Sequence, residues 1–438
     1  MTDHAKGKII PFAQGASFYM KRGAKDVEKN DLLNGLSKYR QAMESAPEDP
    51  EPCIAAAEIL SQMQRFEESN RLLLLLMSEG RGTPECFFGL ACNYYGMQEY
   101  DYAVESLENY LDADPDGVFA LDAEDFLDFI DDDTAMYEAT GLENDQDYDD
   151  NASCLFARHL LESGEYADAI RELTHQLTIS PNSIPVQNQL AVACIVNGEK
   201  ERAVSVLGKV LSADPRNVLA HCNLTLLYHD AGDETHAKEE MIFLNGIQTD
   251  APEELHNISV IQLDMEMYLE ADATLRKLLQ QSPYDEAAIH KLGYCRYMLE
   301  DYDGAETCYK RLLKIHPEDT VARYYLAQSK KTGLDERAKK ARWMIPYQVP
   351  YTEAFRRLNQ INHYLAMPQG EMEALWHKDK HFSAMLAWAL TLPDMRIKRS
   401  MLSLLYTFGD EKAQHLLREY LLRTDQPDEL KRIVFGML

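Results

Sequence analysis

Apolar positions recur along the chain at one long interval. Tyr39, Leu73, Leu107, Leu173, Leu207, Met241, Leu275 and Tyr309 follow one another 34 residues apart, except for a single step of 66 after Leu107. A second apolar column, Leu90, Phe156, Leu190, Leu224, Ile258 and Leu292, keeps the same interval, and both columns read as core positions. So does a column of small residues, Ala103, Ala169, Ala203, Ala237, Ala271 and Ala305. Only Ala, Gly or Ser fits where two helices cross closely, so this column predicts one crossing rebuilt in every unit. Pro47, Pro115, Pro181, Pro215, Pro283 and Pro317 close the units, with Thr249 at the one unfilled place between Pro215 and Pro283. Tyr100, Tyr166, Tyr268 and Tyr302 open second helices, after turns that Gly164, Gly198 and Gly232 carry in some units.

Together these columns resemble the tetratricopeptide repeat, whose aromatic, Leu, small, Tyr, Ala, aromatic and Pro positions are spaced this way. Residues 286–319 match best, with Leu292-Gly293, Tyr302, Ala305, Tyr309 and Pro317. Further units start at Asp150, Ile184, Val218 and Pro252, and more loosely at Ala16, Pro50 and Pro84. In the two loosest, Gly35 and Ser69 replace the Ala, and Arg81 stands in place of a proline. The resemblance implies an all-α fold, a right-handed superhelical solenoid of helix pairs. The expected organisation is a tail at 1–15, units 1–3 at 16–117, an acidic insertion or degenerate repeat at 118–149, and units 4–8 with a capping helix at 150–332. Residues 333–438 then form a smaller α-helical domain, its helices punctuated by Pro368, Pro393, Gly409 and Pro427 and faintly HEAT-like in pairing.

The resemblance also implies that first helices line a concave groove with their second, fifth, sixth and ninth positions. The sixth position holds Gln189, Asn223, Asn257, Lys291 and Tyr325, and the fifth holds Asn188, Cys222, His256, His290 and Tyr324. An Asn amide offers a donor and an acceptor, so it pairs with an extended backbone whatever side chains that backbone carries. Each such bond contributes about 0.5–1.5 kcal/mol net, so a ladder in register is needed. Tyr294, Tyr297, Tyr324 and Tyr325 add aromatic area at the carboxyl-terminal mouth, where interfaces favour Tyr. Arg158 and Lys291 are the fixed cations in these columns, too few for the family's carboxylate clamp. The expected function is a non-catalytic scaffold or adaptor for an extended protein segment.

Length and charge refine the picture. A chain of 438 residues exceeds one core, which stops growing at about 250–300 residues, whereas stacked units need no common core. The net charge is −29; residues 318–438 hold 19 Lys or Arg against 15 Asp or Glu, a balance of +4 that leaves −33 for the rest. No Lys or Arg lies between Arg81 and Arg158, and the acidic segment 112–150 reads as a solvated stretch or a dock for a basic partner. The basic segment 330–342 beside Trp343 raises nucleic-acid contact as a minor alternative, which the overall negative charge opposes. Its attraction to acidic repeats of the same chain or of a second copy predicts a salt-sensitive self-contact.

Candidate chemistry is sparse. Eight cysteines are scattered without a C-x-x-C pair and read as reduced packing residues. Asp112, Asp114, Asp116 and Gly117 open like a calcium loop with Phe119 following, but Ala123 occupies the place of the bidentate Glu. Glu373, His377 and His381 fall four residues apart and would share a face of one continuous helix. They carry the runner-up reading, a regulatory protein with metal-dependent activity in its carboxyl-terminal domain. No phosphate loop, dinucleotide fingerprint or nucleophile elbow occurs, so no enzyme and no cofactor are expected. The apolar run Leu72–Met77 is too short to span a bilayer, and a cytoplasmic location is expected.

Overall fold

A computed structural model describes residues 15–140, 145–162, 164–332, 343–392, 394–423 and 426–438, with side chains outside 131–152, 162, 331–332 and 428. All regular structure among them is helical. Eight helix pairs form the repeats: α1 (Ala16–Val27) with α2 (Leu32–Ser45), α3 (Glu51–Gln62) with α4 (Phe66–Ser78), and α5 (Glu85–Gly96) with α6 (Tyr100–Ala113). After α7 (Ala120–Thr140) come α8 (Asp145–Glu162) with α9 (Tyr166–Ile179), α10 (Ile184–Val196) with α11 (Lys200–Ala213), and α12 (Val218–Asp230) with α13 (Glu234–Gly246). Then follow α14 (Pro252–Asp264) with α15 (Tyr268–Gln281), α16 (Glu286–Met298) with α17 (Tyr302–Ile315), and the single α18 (Thr320–Thr332). The remaining helices are α19 (Tyr351–Leu365), α20 (Gln369–Lys378), α21 (Lys380–Leu390), α22 (Met395–Phe408), α23 (Glu411–Leu421) and α24 (Asp428–Phe435).

The periodic columns explain the pairing. Ala103, Ala169, Ala203, Ala237, Ala271 and Ala305 are all fully buried where the second helix crosses the first. Gly35 and Ser69 do the same work by other means. A Cβ on Gly35 would meet Val27 Cγ2 at 2.8 Å and Ile59 Cδ1 at 3.1 Å. The Ser69 hydroxyl donates to the Ala57 carbonyl at 2.7 Å and accepts from the Asn93 amide at 2.8 Å, so a polar group fits a space meant for a methyl.

Two further columns were not legible as columns. The residue that turns each first helix into its second has positive φ in every pair: Asn30, Gln64, Gln98, Gly164, Gly198, Gly232, Glu266 and Glu300. Left-handed geometry is free for Gly and strained for the others, which is why only the Gly units advertised the turn. The turn carbonyl after a second helix is also taken up by a side chain. Gln187 donates to the Pro181 carbonyl at 3.0 Å, His221 to that of Pro215 at 3.1 Å, and Arg81, Lys277 and Arg311 to those of Pro47, Thr249 and Pro283. These bonds satisfy carbonyls that a helix end leaves open.

One core assignment fails. Phe156 shares the column of Leu190 and Leu224 but is 52% exposed, and its neighbour Leu155 is exposed as well. Within its unit α8 packs on α9 and α10 through the face that buries Cys154 and Ala157, and Phe156 lies outside that face.

The chain divides into two compact units. One contains the described residues up to Asp131, Leu313–Thr320 and Tyr351–Leu438; the other contains those of Asp132–Leu312 and Val321–Pro350. In the first, α7 continues the stack through Ala123 and Ile130, both buried against Ala103, Leu107 and Tyr110. Arg40 donates to the Ile315 carbonyl, and Arg65 bridges Glu68 at 2.6 Å and the His316 ring at 2.7 Å. Helix α23 packs on α4, where Glu79 takes Arg81, His415 at 3.2 Å and Arg418 at 3.8 Å. Burial works to raise the Glu79 carboxyl, but the bonds from Arg81 and His415 outweigh it and hold it below its ordinary range. Trp376 and Phe382 are fully buried in the α19–α24 layer, and the Trp376 indole donates to Asp410 at 2.9 Å.

Candidate functional site

The expected groove residues fall on the first helices α10, α12, α14 and α16 and on α18. They do not form a uniform solvent-facing row. Asn188 is 6% exposed; its amide nitrogen donates to Asn217 Oδ1 at 3.1 Å, and Asn217 itself caps α12 by accepting from the Ala220 N–H at 3.0 Å. Asn223 is 9% exposed. Successive first helices press together here, α10 on α12 and α12 on α14, which buries positions that an isolated helix would show to water. Two buried amide atoms, Asn188 Oδ1 and Asn223 Nδ2, have no partner among the described residues. Gln189, His256, Asn257, Tyr294 and Tyr324 are half-buried.

Polar groups thicken toward α16. The Lys291 ammonium approaches His256 Nε2 at 3.1 Å. Burial pushes the His256 imidazole down and Lys291 adds to the effect. Burial also lowers the Lys291 ammonium, against Asp285 and Asp264, which favour its charge. Both shifts have the same leading cause, the burial of these groups.

Beyond α16 the face is occupied by the chain itself. Residues 343–350, which the prolines Pro346 and Pro350 keep from helix, run as an irregular strap over α16, α17 and α18. Trp343, 5% exposed, stacks on Tyr297 with ring centroids 3.9 Å apart and 12° between planes, and meets Tyr309 edge-on at 5.5 Å. His290 is fully buried: its Nε2 donates to the Met344 carbonyl at 2.8 Å, and its Nδ1 accepts from the Tyr309 hydroxyl at 3.1 Å. These two bonds fix one neutral tautomer, and desolvation pushes the imidazole down to about 4. The Tyr325 hydroxyl donates to the Gln348 carbonyl at 2.6 Å and accepts from the Met344 N–H at 3.3 Å. Tyr347 lies over His290 with centroids 5.0 Å apart. Nearby, burial and then Tyr268 push the Tyr294 hydroxyl up to about 12. Of the tyrosines expected at this mouth, Tyr325 bonds the strap and is itself fully buried, while Tyr324 meets Tyr325 edge-on and Tyr294 meets Tyr268 edge-on. The signal in the sequence that could have found the strap is an aromatic segment bounded by Pro346 and Pro350.

Other sequence candidates change character. Trp343 is enclosed by tyrosines, so it is not presented to stack a base, and residues 333–342 lie outside the described ones. Glu373, His377 and His381 do not share a continuous helix. Asp379 is extended at φ −108° and ψ 101°, ends α20 and caps α21 by accepting from the His381 N–H at 2.8 Å, so the two His sit on different helices. His377 instead approaches Asp410 at 3.5 Å, and no metal-binding group of three or more ligands occurs among the described residues. The Asp112–Gly117 segment is a unit-ending turn, with the Tyr110 hydroxyl accepting from the Phe119 N–H at 2.9 Å. All eight cysteines are unpaired; burial pushes the Cys222 and Cys295 thiols up to about 12, away from reactive thiolates. No helix of the described residues is long and apolar enough to cross a membrane.

Helix pairs stacked in register, each packing on its neighbours, define a helical-repeat protein. Family models for the tetratricopeptide repeat match residues 85–117, 160–240 and 262–330, so these stretches of the chain are tetratricopeptide repeats. It is 27% identical over 328 residues to the TPR repeat-containing protein YvcD of Bacillus subtilis, covering 73% of this chain and 66% of that one. Over 62 residues it is 42% identical to human intraflagellar transport protein 70A, covering 14% of this chain and 9% of the relative. The chain thus spans less than two thirds of the length of either. The structure of yeast Tom70 overlays at TM-score 0.34 and 13% identity, covering 96% of this chain and 94% of that one. Tetratricopeptide repeats generally mediate protein–protein interaction and are typically non-enzymatic.

Proposed function

We propose that this protein is a non-catalytic cytoplasmic adaptor that binds an extended segment of another protein along α10, α12, α14 and α16, without a cofactor. One observation carries the reading: side chains of the first-helix face already grip polypeptide backbone, His290 through the Met344 carbonyl and Tyr325 through both Met344 and Gln348. The same face continues into Asn223 and Asn188, whose buried amides each keep one atom, a donor and an acceptor, without a partner among the described residues. Leaving such groups unpaired costs about 1–3 kcal/mol each. The test is affinity capture from the native cell, read by mass spectrometry, with wild type and the Asn223→Ala, Asn257→Ala double variant. Loss of specific partners with an unchanged cooperative melt is expected; an unchanged set of partners defeats the reading.

A further inference from the structure

The strap at residues 343–350 joins the face by side-chain contacts rather than by secondary structure. Its described backbone makes one internal hydrogen bond, Gln348 N–H to the Pro346 carbonyl at 2.7 Å. The bonds that seat it come from His290 and Tyr325 and end on its main chain, so they do not depend on which residues the strap carries. Sequence enters through two rings. Trp343 fills a box whose walls are Tyr297, Tyr309 and Tyr325, and Tyr347 covers the His290 ring. The seat is imperfect, because the Trp343 Nε1–H is buried without an acceptor among the described residues.

We infer that this tyrosine and histidine box is a recognition site for a segment with two aromatic residues four positions apart and a proline before the second, and that the strap fills it in cis as a tethered competitor. The inference rests on the proposed groove function and names the partner pattern for one end of it. A main-chain grip joined to two aromatic sockets is a peptide-recognition arrangement, and large rigid rings are the residues that anchor such contacts. Tethering supplies the strap at an effective concentration of about millimolar, so a partner must exceed that competition before it docks. The free site is then a minor state, and the apparent affinity for a partner is reduced by the fraction of chains whose strap is out.

The probe is the synthetic octapeptide Trp-Met-Ile-Pro-Tyr-Gln-Val-Pro, which copies residues 343–350, titrated into the full chain. Trp343→Ala empties the box, so the peptide is expected to bind that variant at least about tenfold more tightly than wild type. Adding Tyr297→Ala should abolish the binding. Absence of binding to a folded Trp343→Ala chain, or equal binding to both chains, overturns the inference. Hydrogen exchange of the wild type checks it without a variant: the amides of Met344, Tyr347, Gln348 and Val349 should exchange well before those of α16 and α18. Exchange of strap and helices together, or failure of Trp343→Ala to fold, makes the strap a core element and overturns it too. Capture through Asn223 and Asn257 is read separately, so either idea can fail while the other stands.

Discussion

The two ends of the first-helix face solve one problem in opposite ways. At the α10 and α12 end, buried amides are left short of partners, and the turns beneath are made by Gly164, Gly198 and Gly232. At the α16 and α18 end, His290, Tyr309 and Tyr325 are bonded, but an irregular piece of the chain must lie over them, and the turns are made by Glu266 and Glu300. A buried polar group must find a partner or carry the cost of lacking one. At the amide end Asn188 Oδ1 and Asn223 Nδ2 lack a partner among the described residues; at the aromatic end His290, Tyr309 and Tyr325 are bonded, and the one such atom is the Trp343 Nε1 of the covering segment.

Acid should separate the ends most strongly. His290 titrates at about 4 in the folded chain against 6.5 when unfolded, so on acidification the unfolded chain takes the proton first. The stabilisation is complete above pH 6.5 and is lost as pH falls toward 4, up to about 3 kcal/mol. Denaturant midpoints measured at pH 7 and pH 4.5 should fall further for wild type than for His290→Gln, which cannot charge. Equal falls would mean that the imidazole is not buried as described, and the contrast between the ends would lose its electrostatic part.

The amide end should respond in the reverse sense. Asn223→Leu removes a buried donor that has no partner, so stability should stay level or rise by about 1 kcal/mol, while retention of captured partners falls. A large loss of stability would show that the amide already serves the fold. The smallest effect concerns the turns. Glu266→Gly and Glu300→Gly relieve positive φ of 58° and 62° and make the aromatic end turn like the amide end, with an expected gain of about 0.5 kcal/mol each in thermal unfolding.

Much of this was legible and some was not. The small-residue column predicted close crossings, and Ala203 and Ala271 are buried there because every second helix meets its first in the same way. The first two units looked degraded, yet Gly35, Ser69 and Arg81 perform the displaced jobs by close approach, by a hydroxyl bond and by bonding to the Pro47 carbonyl. The groove residues were identifiable as a column, but not their depth, because burial of Asn188 depends on how the next pair leans against α10. Phe156 failed for a complementary reason, since α8 turns Cys154 and Ala157, not Phe156, toward α9 and α10. His377 and His381 failed because one residue, Asp379, leaves the helical region between them.

By itself, the sequence determined the helix pairs, their length, their crossing points and the family to which they belong. Each unit packs on its neighbours, so the same demand recurs every 34 residues and is written down each time. Only the tertiary structure decided that Trp343 and Tyr347 rest on His290 and its tyrosines. That contact joins residues 54 apart, His290 to Met344, and occurs once. An interaction without a period leaves no column to read, and its energy resides in a fit between surfaces that exists only after the pairs have stacked.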